Sequence, residues 1–233
     1  MNTLPLLLAH GWAYTPGFFE PWLKQASERL HLGRILALNQ GYFEPNTPPH
    51  WMEWQAHTQT WQRTNAPNAQ APCIGLGHSL GFAKLLALPL PWQQLISING
   101  FTQFPPSLAL RQMVRHSKTT LPRVIDTFQE QCGAPMPPPC VFNQSALVND
   151  LESLRTLNST TDLQRHIAHG ASLVHIACTQ DRIIPATHST ACFSHLPSHQ
   201  AHIHPQEGTH SDIYTHPTRY TWLFDFLQRS ALF

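Results

Sequence analysis

Short apolar runs alternate with amphipathic stretches along most of the chain. Each run is apolar, Leu-rich or β-branched, and bounded by turn residues, which is typical of a buried strand in a parallel sheet. We predict strands at residues 6–9, 35–38, 73–77, 95–98, 173–178 and, more weakly patterned, 201–204. We predict helices at residues 20–30, 51–64, 80–87, 187–196 and 217–227. Strands that alternate with helices predict an α/β fold with a doubly wound, mostly parallel sheet.

One long stretch lacks this alternation. Between residues 101 and 169 no run has the pattern of a strand, whereas segments such as 108–114 and 122–131 have the pattern of helices. A helical insertion between two strands of a sheet is best interpreted as a cap over one end of that sheet. We therefore predict a core made of residues 1–100 and 170–233 and a helical cap at 101–169.

The composition suits one domain with a substantial core. The chain has 233 residues, of which 42% are apolar and 12% are charged, about half the usual ~25% of charged residues. The formal net charge of +1 gives no overall basic field, which argues against nucleic acid as a partner. No run approaches the ~18 to 20 consecutive apolar residues of a membrane span, so we predict no membrane-spanning helix.

The cysteines and the N-terminus indicate a reducing compartment. There are five cysteines and no C-x-x-C pair, and Cys73 and Cys178 lie inside predicted strands. Residues 1–8 have neither the positive start nor the small-residue cleavage site of a secretory signal, and they have the pattern of a first strand. We interpret all five cysteines as reduced and the protein as cytoplasmic.

The strongest chemical signal is a G-x-S-x-G pattern centred on Ser79. Gly77 and Gly81 flank this serine, a predicted strand precedes it, and a predicted helix follows it. A nucleophilic serine needs this context, because its hydroxyl must project from a sharp turn above the sheet and the glycines leave room for the crowded backbone. The backbone amide of Leu80 would then point at a developing oxyanion.

A serine nucleophile needs a base, and the base needs an acid to orient it. Asp181 follows the predicted strand at 173–178, which places it at the edge of the sheet where Ser79 lies. His210 comes after the last predicted strand and before the last predicted helix, with a glycine two residues before it. We predict Asp181 as the acid and His210 as the base. Because the chain has 16 histidines, His204 and His216 remain alternatives.

The loop after the first strand predicts the rest of the site. His10 and Gly11 form a turn, so the Trp12 amide can face the oxyanion beside the Leu80 amide. We expect His10 to order this loop and the Trp12 ring to form a wall of the acyl pocket. The other residues predicted to line that pocket are Phe101, Phe104, Met113, Phe128 and Leu147.

These residues together resemble the α/β-hydrolase superfamily, and the resemblance covers nearly the whole chain. It implies an α/β-hydrolase fold with an inserted helical cap. It also implies Ser79 as nucleophile, Asp181 as acid and His210 as base, with the amides of Trp12 and Leu80 as the oxyanion hole. No cofactor and no metal are implied.

Within that superfamily the chain is similar to the pimeloyl-acyl-carrier-protein methyl ester esterases of biotin synthesis. The similarity lies in His-Gly-Trp at 10–12, Ile-Asn-Gly-Phe at 98–101 and Phe-Gln-Glu-Gln-Cys-Gly at 128–133. It implies a monomeric, cytoplasmic serine carboxylesterase that removes the methyl group from the distal carboxyl of a carrier-bound pimeloyl chain. Acyl carrier protein would then be its partner.

A local cluster of basic residues supports such a partner independently. No Asp or Glu occurs between residues 101 and 123, and the basic residues in this stretch are Arg111, Arg115, Lys118 and Arg123. A basic patch on a nearly neutral protein predicts an acidic partner whose association weakens as salt rises. The alternative is an ordinary solvated helix face.

Three other functional interpretations remain open. Histidines are crowded between residues 195 and 216, but no H-E-x-x-H pattern and no cysteine pair completes a zinc site. A non-catalytic binding protein with a hydrolase fold would have no need of a complete triad. A general carboxylesterase or an acyl thioesterase fits the triad equally well, because esters and thioesters react through the same tetrahedral intermediate.

Overall fold

The computed structural model describes residues 4–29, 33–44, 46–136 and 141–229. Across these residues the chain forms one eight-stranded sheet. The strands are β1 (Leu6–Ala9), β2 (Ile35–Asn39), β3 (His50–Gln55), β4 (Thr60–Thr64), β5 (Cys73–His78), β6 (Trp92–Ile98), β7 (Ser172–Cys178) and β8 (Ala201–Gln206). Their order in the sheet is β4-β3-β2-β1-β5-β6-β7-β8, and all neighbours are parallel except the pairs β2–β3 and β3–β4.

Helices cover both faces of this sheet. A short 3-10 helix (Pro16–Phe19) precedes the α-helices α1 (Glu20–Arg29), α2 (Leu80–Leu86), α3 (Leu108–Ser117), α4 (Leu121–Cys132), α5 (Gln144–Ser153), α6 (Thr160–Ala168), α7 (Ala186–Ala191), α8 (Asp212–Thr215) and α9 (Pro217–Arg229). Side chains alternate across β1, so Leu6 and Leu8 pack into one hydrophobic core and Leu7 and Ala9 into the other. The predicted α/β class with a doubly wound, mostly parallel sheet is confirmed.

The predicted helix at 51–64 is wrong, because this segment is the hairpin of β3 and β4. Trp51 and Trp54 are three residues apart, a spacing that also fits one face of a helix. In the structure they lie in different hydrophobic cores, as residues on opposite faces of a strand do. Trp54 pairs across the hairpin with Trp61, with ring centroids 5.3 Å apart. Cross-strand aromatic pairs of this kind stabilise antiparallel strands.

The segment between β6 and β7 contains four helices among the described residues, α3 to α6. Of these, α3 packs against both α4 and α5. In contrast, α6 lies against α2: Leu163 and Ile167 join the core that contains α2, and a ring nitrogen of His166 is 2.9 Å from the carbonyl oxygen of Leu86. The division into a core and a cap at residues 101 and 169 stays a prediction, and α6 belongs with the helices that flank the sheet.

Some expectations fall outside the described residues, namely residues 1–3 of the N-terminus, the predicted helix end at Leu30, and Cys140. The cysteines that the structure describes, Cys73, Cys132, Cys178 and Cys192, are free thiols. None of the described helices is both long enough and apolar enough to cross a membrane.

Parallel strands bring the predicted site residues to one edge of the sheet. The loop at residues 10–12 follows β1, Ser79 follows β5, Asp181 follows β7 and His210 follows β8. The carboxyl ends of parallel strands share one edge, where α/β proteins place their ligands.

Candidate active site

Ser79 occupies a strained turn between β5 and α2. Its φ of 54° lies in a region that residues other than glycine rarely adopt. Its backbone N–H donates to the carbonyl oxygen of Ile98 at 3.0 Å, which holds the turn against the end of β6. Strain of this kind is typical of a serine raised above the sheet as a nucleophile.

The two glycines of the motif are required by close backbone approach. A Cβ atom at Gly77 would lie 2.4 Å from the Cα atom of Phe82. A Cβ atom at Gly81 would lie 2.1 Å from the carbonyl oxygen of Ala9. Both neighbours are backbone atoms and cannot move aside, so only glycine fits at either position.

Asp181 and His210 form a buried hydrogen-bonded pair. His210 Nδ1 is 2.6 Å from Asp181 Oδ2, and a carboxylate at this distance indicates that Nδ1 carries a proton. The other carboxylate oxygen accepts the backbone N–H groups of Ile183 and Ile184 at 2.7 and 2.9 Å. Both carboxylate oxygens are therefore fixed, and they in turn fix the plane of the imidazole.

The other nitrogen of His210 is the one that could act as a base. Nε2 is buried and has no hydrogen-bond partner among the described residues, so its lone pair is unused and Ser79 is not bonded to it. The base nevertheless lies beside the elbow, because the rings of His210 and His78 are 4.7 Å apart. Hydrogen bonds between catalytic groups are often long in the absence of substrate.

The two alternative histidines have other surroundings. A ring nitrogen of His216 lies 3.0 Å from the hydroxyl of Thr218, and His204 packs near Trp222 at 6.4 Å between ring centroids. His10, as expected, orders its loop: Nδ1–H donates to the Gly11 carbonyl at 2.9 Å. Its Nε2 accepts the Gln40 N–H at 3.4 Å. Burial lowers the pKa of His10 to about 4, so the ring is neutral at neutral pH.

The loop at residues 10–12 passes directly over Ser79. A Cβ atom at Gly11 would lie 3.2 Å from the Cβ atom of Ser79. Trp12, Leu80 and Ser79 line the same cavity. This arrangement is compatible with an oxyanion hole formed by the amides of Trp12 and Leu80.

That cavity is apolar and very small. Besides Ser79, Leu80 and Trp12, its lining includes four residues predicted for the acyl pocket: Phe101, Phe104, Met113 and Phe128. Its volume of about 30 Å³ has room for about one water molecule.

Leu147, which is also predicted to line the acyl pocket, does not line this cavity. Its side chain is fully buried, and its carbonyl oxygen accepts the indole N–H of Trp12 at 2.8 Å. Leu151 and Leu154, further along the chain, take the lining positions. Sequence reasoning missed them, although their spacing from Leu147 fits one apolar helix stripe. It also missed Leu110 and Ile183, which complete the lining.

The four predicted basic residues are all exposed, on or beside α3 and α4. Lys118 forms an ion pair with Glu152 at 2.6 Å. Arg123 lines a groove of about 530 Å³ between α3 and α4, and Met113 and Phe128 belong both to this groove and to the small cavity.

A second surface pocket adjoins the cavity on another side. Its volume is about 270 Å³, and Arg111 and Arg155 lie in its lining. It shares Phe104, Leu110 and Leu154 with the cavity. Positive side chains thus line both of these surface pockets. Arg155 was not predicted because it lies outside the basic cluster of the sequence.

Within the described ranges, no group of three or more His, Cys, Asp or Glu side chains is arranged to hold a metal ion.

The sheet order, the elbow and the flanking helices define the α/β-hydrolase fold, and solved structures confirm it. An esterase from Exiguobacterium antarcticum has a TM-score of 0.67 at 14% identity, covering 100% of this chain and 93% of its own. A bromoperoxidase from Bacillus anthracis has a TM-score of 0.70 at 12% identity, with coverages of 97% and 92%. An enol-lactonase from Burkholderia xenovorans has a TM-score of 0.67 at 10% identity, with coverages of 98% and 92%.

No protein-family model and no curated protein sequence matches the chain. At identities this low the structural likeness establishes the fold alone.

Proposed function

We propose that this protein is a serine carboxylesterase with Ser79 as nucleophile, His210 as base and Asp181 as acid. One observation carries the proposal. A buried Asp181–His210 pair leaves His210 Nε2 without a partner among the described residues, beside a strained serine that opens onto an apolar cavity. The esterases among the structures of similar fold support this reaction class.

The reaction follows from this arrangement. His210 Nε2 takes the hydroxyl proton as Ser79 Oγ attacks the ester carbonyl. The amides of Trp12 and Leu80 stabilise the oxyanion, each contributing about 3 to 4 kcal/mol. Protonated His210 then gives its proton to the leaving alcohol, and the same residue activates the water that releases the acid. Asp181 holds the ring in the productive tautomer and stabilises the imidazolium.

The finer proposal is that the substrate is the methyl ester of a pimeloyl chain on acyl carrier protein, in the cytoplasm. Two features support it beyond the sequence resemblance. The lining around Ser79 is apolar, as an acyl chain requires, and the two surface pockets that share residues with it are lined in part by Arg111, Arg123 and Arg155. An acidic carrier docked at Arg111, Arg115, Lys118 and Arg123 would lie against these two pockets.

The test compares two substrates. Purified wild type should hydrolyse pimeloyl-carrier methyl ester rapidly and a short p-nitrophenyl ester measurably, and Ser79→Ala should lose both activities while remaining folded. Asp181→Asn should stay folded and lose about 10⁴-fold in kcat, as serine protease triads do. Cleavage of the short ester alone would favour a general esterase or thioesterase, and cleavage of neither would favour a binding protein.

Carrier docking needs its own test. The double variant Arg111→Glu/Arg115→Glu should lower turnover of the carrier-bound ester and spare the short ester, and added salt should weaken the wild-type reaction in the same selective way. Arg63→Glu, on edge strand β4 far along the sheet, changes the net charge as much as either single variant, Arg111→Glu or Arg115→Glu, and is their control. Equal losses on both substrates would refute docking at this surface.

A further inference from the structure

Asn99 lies at the junction of the loops that carry the proposed triad. It follows β6 directly, it is 1% exposed, and its φ of 49° is one that residues other than glycine rarely adopt. The preceding carbonyl, that of Ile98, accepts the backbone N–H of Ser79. Asn99 therefore directly follows the carbonyl group that holds the turn of Ser79.

The carboxamide of Asn99 connects the acid loop to the base loop. Its Oδ1 accepts the backbone N–H of Cys178 at 2.7 Å. Its Nδ2 donates to the backbone carbonyl oxygen of His210, also at 2.7 Å. Cys178 is the last residue of β7, and its own carbonyl accepts the Asp181 N–H at 3.2 Å. One buried side chain therefore holds the loop of Asp181 at a set distance from the backbone of His210.

The backbone carbonyl oxygen of His210 accepts a second hydrogen bond. The Nε2–H of His78 donates to the same carbonyl oxygen at 2.9 Å. Burial, and the nearby His210, keep the pKa of His78 well below its ordinary value, so this ring stays neutral. The carbonyl of His210 thus receives one donor from the residue before Ser79 and one from Asn99, which fixes the base by its backbone.

We propose that Asn99 is a positioning residue for the base. By fixing the Asp181 and His210 loops to each other, it keeps the imidazole in the plane that reaches the carboxylate with Nδ1 and leaves Nε2 for the serine. This role rests on the proposed function, because it assigns Asn99 to the same triad. Small displacements of a catalytic group lower the rate far more than they lower substrate affinity.

Two substitutions distinguish the hydrogen bond that Asn99 accepts from Cys178 from the one that it donates to His210. Asn99→Gly removes both side-chain hydrogen bonds and suits the positive φ, so the backbone keeps its conformation. Asn99→Asp keeps an acceptor for the Cys178 N–H and removes the donor to His210. Ser97→Ala is the matched control: Ser97 is fully buried on the same strand and is 3.1 Å from a ring nitrogen of His175, away from the triad.

Three readouts are measured on each folded variant, with thermal unfolding as the check on folding. The first is kcat and KM on a short p-nitrophenyl ester. The second is the rate of labelling by a fluorophosphonate, in which Ser79 Oγ bonds to phosphorus, fluoride leaves and His210 takes the serine proton. The third is the deshielded proton NMR resonance of the His210 Nδ1–H, which reports the bond to Asp181 without any substrate.

Asn99→Gly and Asn99→Asp should lower kcat and the labelling rate by about 10- to 100-fold with little change in KM, and should weaken the deshielded resonance. Ser97→Ala should lower the thermal stability and leave the kinetic constants, the labelling rate and the NMR resonance unchanged. A kcat for Asn99→Gly no lower than that of Ser97→Ala overturns the proposal, and so does failure of both Asn99 variants to fold where Ser97→Ala folds. If wild type is never labelled at Ser79, the proposed function fails, while the NMR resonance still tests Asn99 alone.

Discussion

Two buried histidines make the stability of this fold dependent on pH. Burial lowers the pKa of His10 to about 4 and that of His175 to about 3, from an ordinary value of 6.5. Protonation would break the bond that His10 accepts from Gln40. At His175 it would place a charge on a ring whose Nε2 is buried without a partner among the described residues. Both rings therefore remain neutral in the folded protein where they would be charged in the unfolded chain.

Proton linkage gives the direction and the size of this pH dependence of the free energy of unfolding. Below pH 6.5 the unfolded chain binds a proton at each ring and the folded protein does not until about pH 4 and about pH 3, so stability falls as the pH falls. At about pH 5 each histidine costs about 2 kcal/mol, or about 4 kcal/mol together, relative to about pH 8. The lowered pKa of buried His78 likewise makes stability fall as the pH falls. This is a large share of the ~5 to 15 kcal/mol that stabilises a typical domain.

Urea unfolding at these two pH values measures the effect. His175→Gln should shrink the difference in unfolding free energy by about 2 kcal/mol, because glutamine does not titrate. His199→Gln, at an exposed position, is the control and should leave the difference at its wild-type size. An unchanged difference in His175→Gln would refute the assignment of acid sensitivity to this buried ring.

Three further predictions concern single contacts, each measured by urea or thermal unfolding. Gly81→Ala should destabilise the fold by about 3 kcal/mol or more, because its Cβ would collide with the Ala9 carbonyl. Trp12→Phe should cost about 1 kcal/mol, since the hydrogen bond from the indole N–H to the Leu147 carbonyl is lost while that carbonyl keeps its helical N–H donor within α5. Asp150→Asn should cost about 2 kcal/mol of unfolding free energy, because it removes the charge that pairs with Lys84, a half-buried residue of α2.

Each of these has a result that would count against it. A Gly81→Ala protein as stable as wild type would show that the elbow backbone can move away from β1. A Trp12→Phe protein as stable as wild type would show that the indole hydrogen bond makes no net contribution to stability. Glu152→Gln is the control for Asp150→Asn: it breaks the exposed ion pair with Lys118 and should cost less than about 1 kcal/mol. An equal cost for the two substitutions would show that burial does not strengthen the ion pair of Asp150.

The parts of the site that follow from local pattern could be predicted from the sequence. The Ser79 motif needs only a strand, a turn and a helix in succession, and Asp181 and His210 could be placed because each follows a predicted strand. All three are where the topology of the sheet predicts. The hairpin of β3 and β4 could not be predicted in this way, because Trp51 and Trp54 have a spacing that fits one face of a helix, and the pairing of Trp54 with Trp61 is seen only in the structure.

Contacts between distant segments could not be predicted in this way. The Trp12 indole bonds to a carbonyl 135 residues later, and Asn99 bonds to one 111 residues later. The first depends on how the helices between β6 and β7 pack, and the second on the order of β6, β7 and β8 in the sheet. Composition and periodicity determine neither. The position of Leu147 depends on this packing too. Its backbone carbonyl binds the Trp12 indole, and Leu151 and Leu154, further along the same apolar stripe, line the cavity.

Whether Ser79 is the nucleophile of an esterase is decided by a pre-steady-state measurement. Mixing the enzyme with a short p-nitrophenyl ester should release a burst of p-nitrophenol equal to the enzyme concentration as the acyl-enzyme forms. Mass spectrometry of the quenched reaction should place the acyl group on Ser79, and Ser79→Ala should show neither the burst nor the adduct. A folded wild-type protein that gives no acylation at Ser79, or an equal rate in Ser79→Ala, would contradict the account.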